Sequence, residues 1–227
     1  MQSMIKKFGA AAAVSVLASF ATAPIASAST VNVSYQGSGP FGSPNYSKVA
    51  YIASSDYTGG TRAGPFRLTG DNGMGDFVAF CVDLAKYLGN GQSYTTASNS
   101  AFGSAVDTNI DKLFTSSYAG INSRVEGAAF QLALWEIITD TASGFDLSSG
   151  GFRVSWAPAA VVSQAASYLS GLASAATGGY QLTFLNSGSS QNLVTVSQIS
   201  PVPLPAAAGM LGFGVLTLVG VRRRKRN

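Results

Sequence analysis

Two side chains in this sequence are of types that react with each other. Cys81 is the single cysteine, near the end of the apolar run Phe77–Leu84 (FVAFCVDL), where polarity returns at Asp83. Gln131 stands fifty residues further on, in a segment with helical spacing. At 100° per residue, Glu126, Ala129, Ala133 and Glu136 gather on one side of that helix, the expected solvent face. Gln131 falls on the other side, with Gly127, Ala128, Leu134, Trp135 and Ile138 around it. A carboxamide on an apolar face costs about 1–3 kcal/mol if left without partners, and the small Gly127 and Ala128 leave room for another chain to approach. A thiol that meets a primary carboxamide has one distinctive reaction. The sulfur attacks the amide carbon, ammonia leaves, and an internal thioester remains. That bond is a protected electrophile, opened later by an amine or a hydroxyl, and it needs a niche that excludes water. Trp135 and Leu134 supply one wall of such a niche.

Packing is the competing account of the same residues. A free cysteine is among the most buried residue types and usually inert; Gln131 could serve a nearby backbone group, and Trp135 could be core. The helix dipole gives Cys81 chemistry little help, because Gln131 lies two turns past the helix start. Ring closure would depend on proximity.

Composition removes most other chemistry. The 227 residues include no histidine, which excludes Ser-His-Asp and Cys-His catalysis and every His-ligated metal site. One cysteine allows neither an intramolecular disulfide nor a cysteine zinc cage. Asp107, Asn109 and Asp111 mimic the start of an EF-hand loop, but Lys112 stands where that loop needs glycine and Tyr118 where it needs glutamate. Asp140 and Asp146 flank a Ser-Gly loop and read as caps of a helix end and a turn. No metal, cofactor or catalytic residue is therefore expected, and no enzyme that turns over. The net charge of +4 is a matter of the ends. Lys6, Lys7 and the run Arg222, Arg223, Arg224, Lys225, Arg226 hold seven of the fourteen cations. The other seven face all ten acidic residues, so the rest of the chain carries a formal −3 and no nucleic-acid partner is expected.

The elements that would position the pair follow from pattern. Val31–Tyr35 and Lys48–Ala53 alternate as strands do, and Phe77–Leu84 reads as a central buried strand. Asn90–Ser100 is polar and loop-like. Asp107, Thr108 and Asn109 offer N-caps for a helix reaching Tyr118. Ser123 with Glu126 forms a capping box that starts the helix 124–140. Pro158–Ala175 reads as an Ala-rich helix. Tyr180–Leu185 and Asn192–Ile199 form a closing hairpin. Strands first, helices in the middle and strands last predict an α+β fold.

The two ends carry address signals. Lys6 and Lys7, the apolar run Ala10–Phe20 and the small residues Ala26-Ser27-Ala28 have the order of a secretory signal peptide, with cleavage expected after Ala28. At the other end Pro203-Leu204-Pro205 precedes the apolar run Ala206–Val221, and the basic run follows. Sixteen apolar residues fall short of the roughly 20 that span a bilayer; counting from Val202 brings the stretch to twenty. The basic run would remain cytoplasmic, which puts the body outside. Three regions result: a signal peptide at 1–28, an extracytoplasmic domain at 29–201 and a tail at 202–227 with a transmembrane helix. A lone thiol exported in this way is exposed to oxidation unless buried or masked.

Two resemblances add to this reading. Val202-Pro203-Leu204-Pro205-Ala206, the short apolar helix and the Arg-rich end resemble the PEP-CTERM sorting tail in its VPLPA form. That resemblance implies Gram-negative export, with signal peptidase and an exosortase as processing partners, transient anchoring in the inner membrane, and a place at the outer surface or in an exopolysaccharide matrix. A permanent single-pass anchor is the alternative. Phe80-Cys81-Val82-Asp83 and Gln131-Leu132-Ala133-Leu134-Trp135 resemble the two motifs of Cys–Gln thioester domains of bacterial surface proteins. By position, the resemblance implies Cys81 as the thiol, Gln131 as the acyl donor, and Phe80, Leu134 and Trp135 around the bond. It also implies a β-sandwich or partly open barrel with a helical insertion. This chain has Phe130 where that family commonly has threonine. Two functions stand open on the sequence: a covalent adhesin or matrix protein that links to surface amines or to exopolysaccharide, and a noncovalent matrix protein with an inert cysteine.

Overall fold

In the computed structural model, residues 29–37, 47–140 and 144–198 are described. The proposed signal peptide with Ala26 and Ala28, the motif at Val202–Ala206, the apolar run after it and the basic residues 222–226 lie outside them. Among the described residues no helix is long and apolar enough to cross a membrane.

Among the described residues, nine strands and three helices follow one another as β1 (Thr30–Gly37), β2 (Lys48–Ala53), β3 (Thr58–Ala63), β4 (Phe66–Gly70), β5 (Gly75–Cys81), β6 (Gln92–Ala97), α1 (Ser104–Ser117), α2 (Arg124–Thr139), β7 (Arg153–Trp156), α3 (Ala159–Gly171), β8 (Tyr180–Asn186) and β9 (Leu193–Gln198). A single 3₁₀ turn, Tyr118–Gly120, joins α1 to the approach of α2. Six strands close an antiparallel barrel in the order β1-β4-β5-β9-β8-β6, and the remaining three form a sheet in the order β3-β2-β7. The expectation of a sandwich or partly open barrel is corrected here: the barrel is closed, because β1 pairs with β4 on one side and β6 on the other, leaving no edge. The helical insertion between β6 and β7 is present, and α3 adds a third helix before the closing hairpin.

Alternation within the strands sorts residues into two cores. Val31, Val33, Leu68, Phe77, Ala79, Tyr94, Leu185 and Leu193 form the smaller one. Phe80 and Val82, on the other parity of β5 and just beyond it, join the larger core built around α1, α2 and α3. Cys81 is the last residue of β5 and belongs to that larger core as well.

Helix α2 is buried nearly all round. It packs against α1, α3, β2, β3 and β5, and Ala129, Ala133 and Glu136 are all fully buried. The predicted solvent face therefore does not exist: short side chains on that stripe let neighbouring elements close over it. Ser123 caps the start of the helix, accepting from the Glu126 N–H at 3.3 Å. Glu126 reaches back one residue beyond the cap, to the Asn122 N–H at 2.8 Å. Helix α1 starts earlier than its polar residues suggest, after Gly103 at φ 96°. Asp107 instead ties down the preceding loop through the N–H and hydroxyl of Ser100.

Burial of Glu136 has a thermodynamic consequence. Its Oε1 accepts from the Asp146 N–H at 2.7 Å, while Oε2 has no partner. Desolvation, with smaller contributions from the Asp140 and Asp146 charges, pushes its carboxyl from 4.5 up to about 7. The native state then keeps a proton that the unfolded chain releases, so stability falls as pH rises from about 4.5 and the penalty is complete above about 7. Glu136→Gln keeps the acceptor and removes the titration. Denaturant unfolding on either side of that window should show the variant losing less stability with rising pH than wild type, by up to about 3 kcal/mol.

Candidate functional site

The site forms where the barrel meets α2. Strand β4 begins at Phe66, opposite Ala79, and so leaves Cys81 without a strand partner on that flank. The residue before it, Pro65, has no N–H to offer. On the other flank β9 continues: Cys81 stands opposite Leu193, and the Val82 N–H donates to the Asn192 carbonyl at 2.9 Å. Because peptide groups alternate direction along a strand, the N–H and C=O of Cys81 face the vacated β4 side. Two buried backbone groups there need partners.

Gln131 supplies both. The Cys81 N–H donates to Gln131 Oε1 at 3.0 Å, and Gln131 Nε2 donates to the Cys81 carbonyl at 2.8 Å. Its carboxamide thus takes the place of a strand's peptide group, and Gln131 is fully buried. The capping box and the spacing along α2 bring this about. With the helix started at Ser123, Gln131 sits two turns in, on the side that faces β5.

The thiol of Cys81 occupies the same niche. Its Sγ donates to the Asp83 carbonyl at 3.0 Å and accepts from the Asp83 N–H at 3.3 Å. Burial pushes the thiol up to about 12; the Asp83 backbone and the Trp135 indole oppose that rise, and the Asp83 charge adds to it. The Trp135 indole N–H makes no hydrogen bond of normal geometry, so its approach to the sulfur is long or oblique.

The flanking residues divide between two roles. Phe80 turns away from the thiol by strand alternation and stacks in an aromatic cluster, its ring 4.6 Å from Phe130 and 6.0 Å from Phe114. Phe130 meets Phe114 at 4.9 Å, so the residue that departs from the resembled motif is a keystone of the adjoining core. Leu134 is fully buried in the same core, and Trp135 packs its ring on Phe152 at 6.2 Å. Asp83, not expected as part of the site, holds the sulfur with its backbone. Its place two residues past the cysteine, at the end of the motif Phe80-Cys81-Val82-Asp83, was the signal that could have pointed to it. A cleft of about 400 Å³, lined by Asp56, Val82, Asp83, Ile138, Phe184 and Asn192 among others, opens beside the site. A larger cavity of about 820 Å³ lies between α1, α3 and residues 144–148; neither cavity is lined by Cys81 or Gln131, and the smaller one adjoins the cysteine through Val82 and Asp83. Asp146 caps a turn as expected, accepting from Ser148 and Ser149, whereas the Asp140 side chain, instead of capping the end of α2, accepts from the Gly151 and Phe152 N–H groups.

Fold and site together describe a closed antiparallel barrel with a helical insertion that buries a cysteine against a glutamine. The chain matches no family model and no curated protein. Among solved structures it is similar to the N-terminal domain of the Streptococcus pyogenes pilus tip adhesin Cpa, at 16% sequence identity and a TM-score of 0.43, over 72% of this chain and 99% of that one.

Proposed function

We propose that this protein is an exported surface or extracellular-matrix protein that attaches covalently to its target through an internal Cys81–Gln131 thioester. The observation that carries the proposal is the seating of the Gln131 carboxamide on the peptide groups of Cys81 itself. A donor on Oε1 polarises the amide carbonyl and would stabilise the oxyanion formed when sulfur adds. An acceptor on Nε2 holds the nitrogen that must leave. In the closing step Cys81 Sγ bonds to Gln131 Cδ, the Cδ–Nε2 bond breaks, and the nitrogen departs as ammonia with the thiol proton. The S–H donation to Asp83 ends there, while the Asp83 N–H can still point at the sulfur.

A thiol raised to about 12 is a poor nucleophile at neutral pH. Such a thiol suits a bond formed once in the lifetime of a molecule better than rapid turnover. Buried walls then protect the bond from water, and the cleft at Val82–Leu84 gives a target nucleophile its approach. Export by the N-terminal segment, exosortase sorting at Val202–Ala206 and transient anchoring by the apolar run complete the proposal; they rest on the order of residues in the sequence alone.

One observation favours a noncovalent matrix protein instead. Both hydrogen bonds of the sulfur go to Asp83, and Gln131 is satisfied as a peptide mimic without any reaction. Intact mass spectrometry of the mature body separates the two. The covalent reading expects a protein lighter by one ammonia, resistant to thiol alkylation when denatured, and labelled by methylamine, with Cys81→Ala losing the label entirely. A full calculated mass, an alkylatable cysteine and no amine uptake would establish the noncovalent reading.

A further inference from the structure

We propose that the indole N–H of Trp135 is a hydrogen-bond donor kept for the Cys81 sulfur when that sulfur carries negative charge, an inference that rests on the thioester reading. Two buried side-chain polar atoms among the described residues lack a partner, and Trp135 Nε1 is one of them. Trp135 is only 2% exposed, so solvent does not satisfy this donor either. Buried donors are rarely left unpaired, because desolvating them is costly. Trp135 stands four residues after Gln131, on the same face of α2, with its indole within reach of the Cys81 sulfur. Packing on Phe152 holds its ring, and among side chains its N–H is the one that favours the charged form of Cys81.

A neutral thiol is a weak acceptor and already has the Asp83 N–H. It leaves the indole idle. When an amine opens the thioester, its nitrogen bonds to Gln131 Cδ, the Cδ–Sγ bond breaks, and the electron pair passes to sulfur. The displaced amine proton ends on the sulfur or in solvent. At the moment of cleavage the sulfur is a thiolate beside the Asp83 carbonyl, which repels it. The Asp83 N–H offsets part of that charge, and a charge-assisted bond from Trp135 is the further compensation available in the niche. The unpaired donor of the resting protein is thus matched to the leaving group of the reaction, and Trp135 acts on the reacting atom itself.

The test uses the mature protein with an isostere at position 135 alone. 3-Benzothienylalanine keeps the ring shape and lacks the N–H; 5-fluorotryptophan keeps both; Trp135→Phe is the genetic counterpart. The benzothienyl protein should either fail to lose ammonia or take up methylamine about 10-fold more slowly, the worth of one hydrogen bond to a charged group. The fluorinated protein should behave as wild type. A benzothienyl protein that closes and opens at the wild-type rate overturns the proposal. If wild type itself never loses ammonia, the thioester reading fails separately. The indole is then judged from thiolate ultraviolet absorbance, taken as the difference from Cys81→Ala. A higher pH midpoint in the isostere than in wild type supports the donor role, and equal midpoints overturn it.

Discussion

Gln131→Leu should cost the fold about 2–5 kcal/mol and abolish amine uptake completely. Leucine roughly keeps the volume but removes both partners of Cys81, whose N–H and C=O would then be buried and unpaired. Each such orphan costs about 1–3 kcal/mol, and no strand is available to replace Gln131 because β4 begins only at Phe66, opposite Ala79. Denaturant unfolding measures the first effect and methylamine labelling the second. A loss below about 1 kcal/mol would mean that the end of β5 relaxes to find other partners. Gln131→Glu makes a useful companion. It keeps an acceptor for the Cys81 N–H but sets a second oxygen against the Cys81 carbonyl, which is tolerable only when protonated. Its stability should therefore decline as pH rises, while amine uptake stays absent because there is no amide to displace.

Phe130→Ala should be as destabilising, about 3–5 kcal/mol. The ring is fully buried and central, with Phe80, Phe114, Tyr118 and Tyr168 around it at centroid separations of 4.6, 4.9, 6.3 and 6.2 Å. Helices and barrel are both fixed to this cluster, so the cavity left behind cannot collapse from one side. Phe130→Thr, which installs the residue common in the resembled motif, should fare no better, since its hydroxyl would enter an aromatic enclosure. Because residue 130 adjoins Gln131 in sequence but faces a different core region, a folded Phe130 variant should still seat the carboxamide. Retained amine uptake in whatever fraction folds would show that the aromatic cluster holds the site in place without entering its chemistry. Uptake lost in a well-folded variant would contradict that division.

Helix α2 shows how far pattern carries. Its start was legible in Ser123 and Glu126, because capping is a local interaction between residues three apart. Its solvent face was not, since Ala129 and Ala133 suit water and close packing alike, and the neighbours that cover them come from distant parts of the chain. Glu136 fails for the same reason: a glutamate reads as exposed until α2 is enclosed. Strand β6 was hidden because only Tyr94 of Gln92–Ala97 is buried, so its sequence looks like a loop. Strands β3 and β7 are short or Gly-rich, and without their sheet partners they carry little β signal.

By itself the sequence determined which chemistry is possible. The absence of histidine, a single cysteine, and one carboxamide stranded on an apolar helical face leave thiol–amide closure as the distinctive reaction, and the ordered signals at the two ends carry the expectation of export. These conclusions depend on residue identity and local spacing, which folding does not change. Tertiary structure alone decided that the carboxamide meets the cysteine through its peptide groups, that Asp83 holds the sulfur, that the Trp135 N–H is left idle beside it, and that the barrel closes. Those depend on where β4 begins, on how α2 crosses the end of β5 and on which strands pair, long-range geometry that no local pattern encodes.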